Sequence, residues 1–299
     1  MMRRSTILAL CALLLAASLA GCVNSGEKDR QTAFINAVKT GVLAMDEQSH
    51  ADYSDSAELR ENLLKGVQAE ADAIKNVDAG AFDDEDFKRL ASEYASAVKE
   101  ESKGLESFPD DSEAYNSSYV VGRAKIAGVV SELVDKHGLR FDDPQVLDNV
   151  KKPANPMLCA GEKKTVKTDD GDIQIAIEGF VVDQESTERA RQYDGFTSSQ
   201  DYSYLLCTLT NESVDPKQSS LDNWLNIGSM VTIRGSDGVD LMSPNFSYDY
   251  PGYEIATGGY YAIPAVGSTK RIAIPYVVGA DAGELEVVVG DAFLFINPK

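Results

Sequence analysis

Few residues in this chain of 299 have the type and spacing that chemistry needs. There are two histidines. His50 reads as a loop residue. His137 follows Leu133 by four positions near a helix end, where a cation suits the dipole. Neither finds a ligand partner by spacing, so both read as structural. Acids gather at Asp169-Asp170-Gly171-Asp172 and at Asp83-Asp84-Glu85-Asp86. Their hard oxygens suit calcium, but neither cluster fits the twelve-residue loop with its glycine and terminal glutamate. The plainer readings are a hairpin turn for the first and a helix start for the second. Paired carboxylates can hydrolyse glycosides, yet no spacing brings two of them together here. The motifs G-x-S-x-G, G-x-x-x-x-G-K and H-E-x-x-H are absent. The densest feature is aromatic: Phe246, Tyr248, Tyr250, Tyr253, Tyr260 and Tyr261 fall within sixteen residues, punctuated by Pro251, Gly252, Gly258 and Gly259. A tyrosine offers a rigid apolar ring with a polar tip, suited to protein contacts and to stacking on sugars. Alternatively, the same rings pack on the edge and core of a sheet.

Ser96-Ala97-Val98-Lys99 matches S-x-x-K, and Lys39-Thr40-Gly41 matches K-T-G. In penicillin-recognising enzymes such a serine is the nucleophile. Here the order is reversed, and the K-T-G falls on a helical pattern where a strand is required, so the matches read as chance.

Four cysteines are present, of which Cys11 belongs to the leader and Cys22 stands at its end. Arg3 and Arg4 precede an uncharged apolar run, Ile7–Ala17, too short to span a bilayer but fitting a secretory signal. It ends in Leu19-Ala20-Gly21-Cys22, which resembles the lipobox of bacterial lipoproteins. That resemblance implies diacylglyceryl transfer to the Cys22 thiol and cleavage between Gly21 and Cys22. Two or more acyl chains hold a protein stably on a membrane. The expected mature chain is Cys22–Lys299, in the bacterial cell envelope, lipid-anchored on the extracytoplasmic face. Cys159 and Cys207 remain. In an oxidising exterior a bridge between them is one expectation. It would close 47 intervening residues and contribute roughly 3–4 kcal/mol. Two separate core thiols are the other, because Cys207 shares a strand face with Leu205 and Leu209. No C-x-x-C exists to support redox chemistry.

The elements that must position these residues change period near residue 150. After a short tether, 22–27, residues 28–140 read as an antiparallel helical bundle. Phe34, Val38, Val42 and Met45 mark the first helix. Asp55 and Glu58 form a capping-box variant for the second, whose face is Leu59, Leu63, Leu64, Val67, Ala71 and Ile74. The third opens on Asp83–Asp86 and buries Phe87, Leu90, Ala91, Tyr94 and Val98. The fourth runs through Tyr115, Tyr119, Ile126, Val129, Val130 and Leu133 to a stop at Gly138. Residues 141–160, with Pro144, Pro153 and Pro156, read as a stiff, non-helical linker.

Short strands and turns follow over 161–299: Ile173, Ile175 and Ile177 alternate, Tyr204–Thr210 is apolar, and Gly235-Ser236-Asp237-Gly238 joins two strands as a hairpin. Three stretches carry a family resemblance. These are Gly161-Glu162-Lys163-Lys164-Thr165-Val166, Tyr204–Glu212, and Ile263-Pro264-Ala265-Val266-Gly267-Ser268-Thr269-Lys270-Arg271-Ile272. They resemble the DUF4352-type Ig-like domain of bacterial lipoproteins, akin to mycobacterial immunoprotective extracellular antigens. The resemblance implies an Ig-like β-sandwich and no catalytic set. The Glu185–Gln200 insertion and the aromatic stretch depart from the family pattern. The expected fold class is therefore α+β in two domains.

The formal net charge is −20, and loss of Arg3 and Arg4 with the leader makes it −22. Such a surface excludes broad contact with nucleic acid, which needs a basic face. It is also repelled by anionic lipid heads and wall polymers. No cofactor is called for. The expected function is non-enzymatic: a lipid-anchored envelope protein presenting its Ig-like domain to a protein or an envelope polymer. The alternative is a small-ligand receptor with a pocket between the domains or under the tyrosine stretch. A carboxylate-based hydrolase ranks below both.

Overall fold

The computed structural model describes residues 26–216, 224–244 and 246–299. The lipidation site, Gly21-Cys22, lies outside them. The chain is α+β, with helices in its N-terminal half and sheets in its C-terminal half.

Helix α1 (Glu27–Ser49) buries Phe34, Val38, Val42 and Met45. Helix α2 (Ser56–Ile74) is capped by Asp55, which accepts from the Glu58 N–H. Glu58 in turn accepts from the Ser54 N–H and hydroxyl, so the box closes one residue further out than expected. Helix α3 (Glu85–Gly104) starts on Asp84, whose side chain accepts from the Asp86 and Phe87 N–H groups. These caps each satisfy donors that a helix end leaves open. The fourth helical stretch begins with one turn, Ser112–Ala114. It widens into a π-helix over Tyr115–Val120 and continues as α4 (Val121–His137) to Gly138 at φ 78°. A candidate cause of the widening is α3: a Cβ on Gly104 would stand 2.3 Å from the Tyr119 backbone nitrogen, so the two backbones touch there.

The expected non-helical linker is corrected. Residues Pro144–Lys151 form helix α5, capped by Asp143. Pro144 sits in its first turn, where no N–H is required, and Pro153 and Pro156 fall after its end. Val146 and Val150 are buried against the helices. Proline punctuates this segment without keeping it extended.

Ten strands follow. β1 (Lys163–Thr168), β2 (Gly171–Val182), β3 (Gln200–Asn211), β8 (Thr269–Gly279) and β6 (Glu254–Ile255) form one sheet in the order β1-β2-β3-β8-β6. A second sheet is β10 (Ala292–Ile296), β9 (Leu285–Val289) and β5 (Val231–Arg234). β4 (Trp224–Asn226) and β7 (Tyr260–Ala262) pair as a separate ribbon. Asp169-Asp170 form the β1–β2 turn, as expected. A bulge between Ile177 and Gly179 shifts the alternation of β2. Ile173, Ile175 and Ile177 face the core before it, and Phe180 faces the core after it. The expected hairpin partner Val239–Met242 makes only a single bridge, Arg234 to Asp240.

One core joins the two larger sheets: Ile175, Leu205, Cys207 and Ile274 pack with Val231, Val287 and Leu294. A second joins the helices to the other face of β9 and β10. Phe293 lies in it with Met157, and Val288 and Phe295 pack against it. Burying a ring such as Phe293 contributes about 1.5–3 kcal/mol. The three-stranded sheet is thus a middle layer with helices on one face and the five-stranded sheet on the other. A third cluster covers the outer face of the five-stranded sheet. There Tyr202, Tyr204 and Leu206 of β3 lie beneath Ala190 of helix α6 (Gln184–Tyr193) and the aromatic stretch.

Candidate functional site: a cleft at the seam

Where the helices meet β9 and β10 the surface opens into a cavity of about 510 Å³. Met45, Leu59, Leu63 and Phe293 give it apolar walls, and Tyr115, Tyr119 and Arg123 line it from the π-helix and the start of α4. Asp46, Asn149 and Lys152 supply polar groups. Ser49, His50, Tyr53 and Glu286 also line a second, more acidic hollow of about 680 Å³, walled by Asp52, Glu58, Asp237 and Glu284. Between the two, the Tyr53 hydroxyl donates to Glu286 Oε2 at 2.9 Å, and Arg234 Nη1 reaches the same oxygen at 3.3 Å. Burial, then the Glu286 charge, push the Tyr53 hydroxyl up to about 12.

Arg123 connects this cavity to a polar cluster inside the helices. Its side chain is 14% exposed, while Glu70 and Glu101 are at 0%. Arg123 Nη1 donates to Glu70 Oε1 at 3.1 Å and lies 3.3 Å from Glu101 Oε1. The Tyr94 hydroxyl donates to Glu70 Oε1 at 3.4 Å. Neither oxygen of Glu101 has a hydrogen-bond partner among the described residues. Burial pushes the Glu101 carboxyl well above its ordinary value; Arg123 opposes the shift and Glu70 reinforces it. Burial works against the Arg123 charge, but Glu101 and Glu70 hold it above its ordinary range. The helices approach closely enough for this because Gly122 lacks a side chain: a Cβ there would stand 2.7 Å from Glu101 Cγ. Two carboxylates around one guanidinium in a closed core are costly to bury, and such clusters beside a cavity mark candidate sites.

The sequence reading did not single out this cluster. Its signal was an acid on each apolar stripe, since Glu70 follows Val67 by three and Glu101 follows Val98 by three. Of the histidines, His50 lines both hollows and its Nδ1 lies 2.8 Å from the Asp46 carbonyl. His137 packs its ring on Phe87 at 4.5 Å. Ser96 and Lys99 are exposed on α3, and Lys39-Thr40-Gly41 lies on α1.

The expected bridge between Cys159 and Cys207 is not formed, and both thiols are free. Strand alternation explains it. Cys207 faces inward with Leu205 and Leu209, its Sγ 3.7 Å from the Ile272 carbonyl. Cys159 precedes β1, its Sγ 3.5 Å from the Asp110 carbonyl. Among the described residues no group of three His, Cys, Asp or Glu could hold a metal ion.

The aromatic stretch divides. Phe246, Tyr248, Tyr250 and Tyr253 pack over Tyr202 and Tyr204, with Tyr204 and Tyr250 centroids 4.8 Å apart. Tyr202 and Tyr204 donate to the Phe246 and Tyr248 carbonyls at 3.1 and 3.0 Å. Tyr248 bonds Asp194, and Tyr253 donates to Glu178 at 2.6 Å. The Glu185–Gln200 insertion therefore meets the aromatic stretch. Arg189 of α6 stands 4.6 Å over the Tyr248 ring. Tyr261 is buried, its hydroxyl 2.5 Å from Glu254, whereas Tyr260 is exposed.

Comparison with known proteins finds no matching family model, no matching curated protein and no matching solved structure.

Proposed function

We propose that this is a lipid-anchored extracytoplasmic envelope protein that binds a small ligand in the seam cleft and acts without catalysis. The single observation that carries the binding role is the cavity itself: apolar walls, Tyr115 and Tyr119 from a π-helix, and Arg123 backed by buried carboxylates. A largely preformed apolar pocket with a few converging polar groups is what ligand sites have in common. Glu70 and Glu101 are closed to solvent, so this pair is not placed to act on a glycoside. In this proposal the helices are an antiparallel bundle and the sheets an Ig-like sandwich of the DUF4352 type. The core shared by the two larger sheets supports the latter. The anchor is diacylglyceryl on Cys22, and the membrane is a partner through that lipid.

The test uses the full chain in detergent, melted against amino acids, short peptides and sugars. A ligand that raises the midpoint in proportion to the logarithm of its concentration supports the reading. Ala154 lines the cavity, so Ala154→Phe, which fills it, should abolish the shift. A shift that persists in Ala154→Phe, or none with any ligand, rejects it. Cys22→Ser should release the protein from membranes.

A further inference from the structure

The ribbon of β4 and β7 places Trp224 opposite Ala262 and Asn226 opposite Tyr260. Successive strand residues point to opposite sides. Leu225 and Tyr261 turn into the core, so Trp224, Asn226, Tyr260 and Ala262 share the outer side. Trp224 is 51% exposed and Tyr260 48%. They are diagonal neighbours, a relation that sets Cα atoms about 7–8 Å apart. Among the described residues nothing bonds the Trp224 indole N–H or the Tyr260 hydroxyl. Phe246, Tyr248, Tyr250 and Tyr253 differ, because all four pack against the outer face of the sheet.

The surroundings narrow the ligand class. Charged residues make up 25% of the chain, yet none occurs in residues 224–233 or 255–269. On a protein of net charge −20, these two stretches offer no charge for an ion pair, so they suit an uncharged partner. Gly228, Gly258 and Gly259 flank the ribbon and provide little apolar area for a protein hot spot. A sugar ring has apolar C–H faces and hydroxyl edges, which match two flat rings edged by an indole N–H, a phenol and the Asn226 amide.

We propose that Trp224 and Tyr260 form a stacking platform for an uncharged polysaccharide, separate from the cleft. The two rings sit under neighbouring sugar units, and the side-chain donors take their hydroxyls.

Trp224 is the only tryptophan in the chain, so its fluorescence reports on the platform directly. The full chain in detergent is titrated with cellotetraose, chitotetraose and mannotetraose. The expected result is a saturable change in emission with at least one of them. Tyr260→Ala should weaken that binding about tenfold, the loss of one contact of hot-spot size. Trp224→Phe should reduce retardation in gels cast with the matching polysaccharide, and circular dichroism verifies the fold of each variant. Ala154→Phe should leave the glycan response intact, which separates this site from the cleft. No emission change and no retardation with any neutral glycan would overturn the proposal, as would unchanged affinity in Tyr260→Ala. Emission that follows protein concentration alone would mean a second copy covers the ribbon, and would also overturn it.

Discussion

Arg123 Nη1 lies 3.3 Å from Glu101 Oε1, yet the Glu101 carboxyl makes no hydrogen bond at either oxygen. The guanidinium is committed to Glu70 by two contacts, 3.1 and 3.3 Å, and Glu101 has only the longer approach. Burial thus favours the protonated Glu101 carboxyl. A carboxyl whose folded value is raised favours folding at low pH, and that contribution is lost as pH rises from its unfolded value through its folded one. The contribution should therefore decline from about pH 4.5 upward. Glu101→Gln keeps the shape and removes the titration. Urea midpoints across pH should show wild type losing ground relative to Glu101→Gln as pH rises. Parallel curves would mean that folding does not shift the Glu101 carboxyl, and would overturn this reading.

Removing the cation has the opposite sign. Arg123→Met leaves Glu70, the acid it holds by two hydrogen bonds, in a closed core without its cation. Breaking a buried pair in this way costs about 3–5 kcal/mol. Chemical denaturation at neutral pH measures it, and a loss within the scatter of surface variants would show that the cluster is hydrated.

Asn116, on the π-helix, grips the backbone of Met157 twice. Its Nδ2 donates to the Met157 carbonyl at 2.8 Å, and its Oδ1 accepts the Met157 N–H at 2.9 Å. Asn116→Ala strands both backbone groups, at a cost of about 1–3 kcal/mol. Hydrogen exchange at Met157 should rise with it. Unchanged protection there would count against the clamp.

The free thiols differ in reach. Cys207 is fully buried and burial pushes its thiol up, while Cys159 is partly exposed. A thiol reagent should label Cys159 in the native protein and Cys207 only after unfolding. Mass spectrometry that finds the two joined would contradict the structure.

How much of this was legible depends on range along the chain. Helix faces repeat locally, so Leu59, Leu63 and Val67 announced α2, and Asp55 its start. Alternation at Ile173, Ile175 and Ile177 announced β2 up to its bulge. β3 carried a further clue: Tyr202 and Tyr204 alternate with Leu205 and Cys207, so both faces are apolar, the mark of a strand covered on both sides. What covers the outer face comes from α6, just before β3, and from the aromatic stretch, far along the chain, and no local pattern states the latter pairing. Helix α5 was hidden because proline suits a helix start as well as a linker. The Glu70–Arg123–Glu101 cluster draws one residue from each of three helices, and only their packing assembles it.

Phe293 sits in the core of the helices, and Phe295 packs against it, although both belong to β10. The ribosome makes them long after α1 to α5. A chain emerging N-terminus first can form its helices early, but it cannot close their core until β10 arrives. Until then the edge of the helical core that Phe293 closes lies open. Final closure of that core is therefore timed by completion of synthesis, and a truncation that removes β10 should leave the helical core open at that edge and more prone to proteolysis.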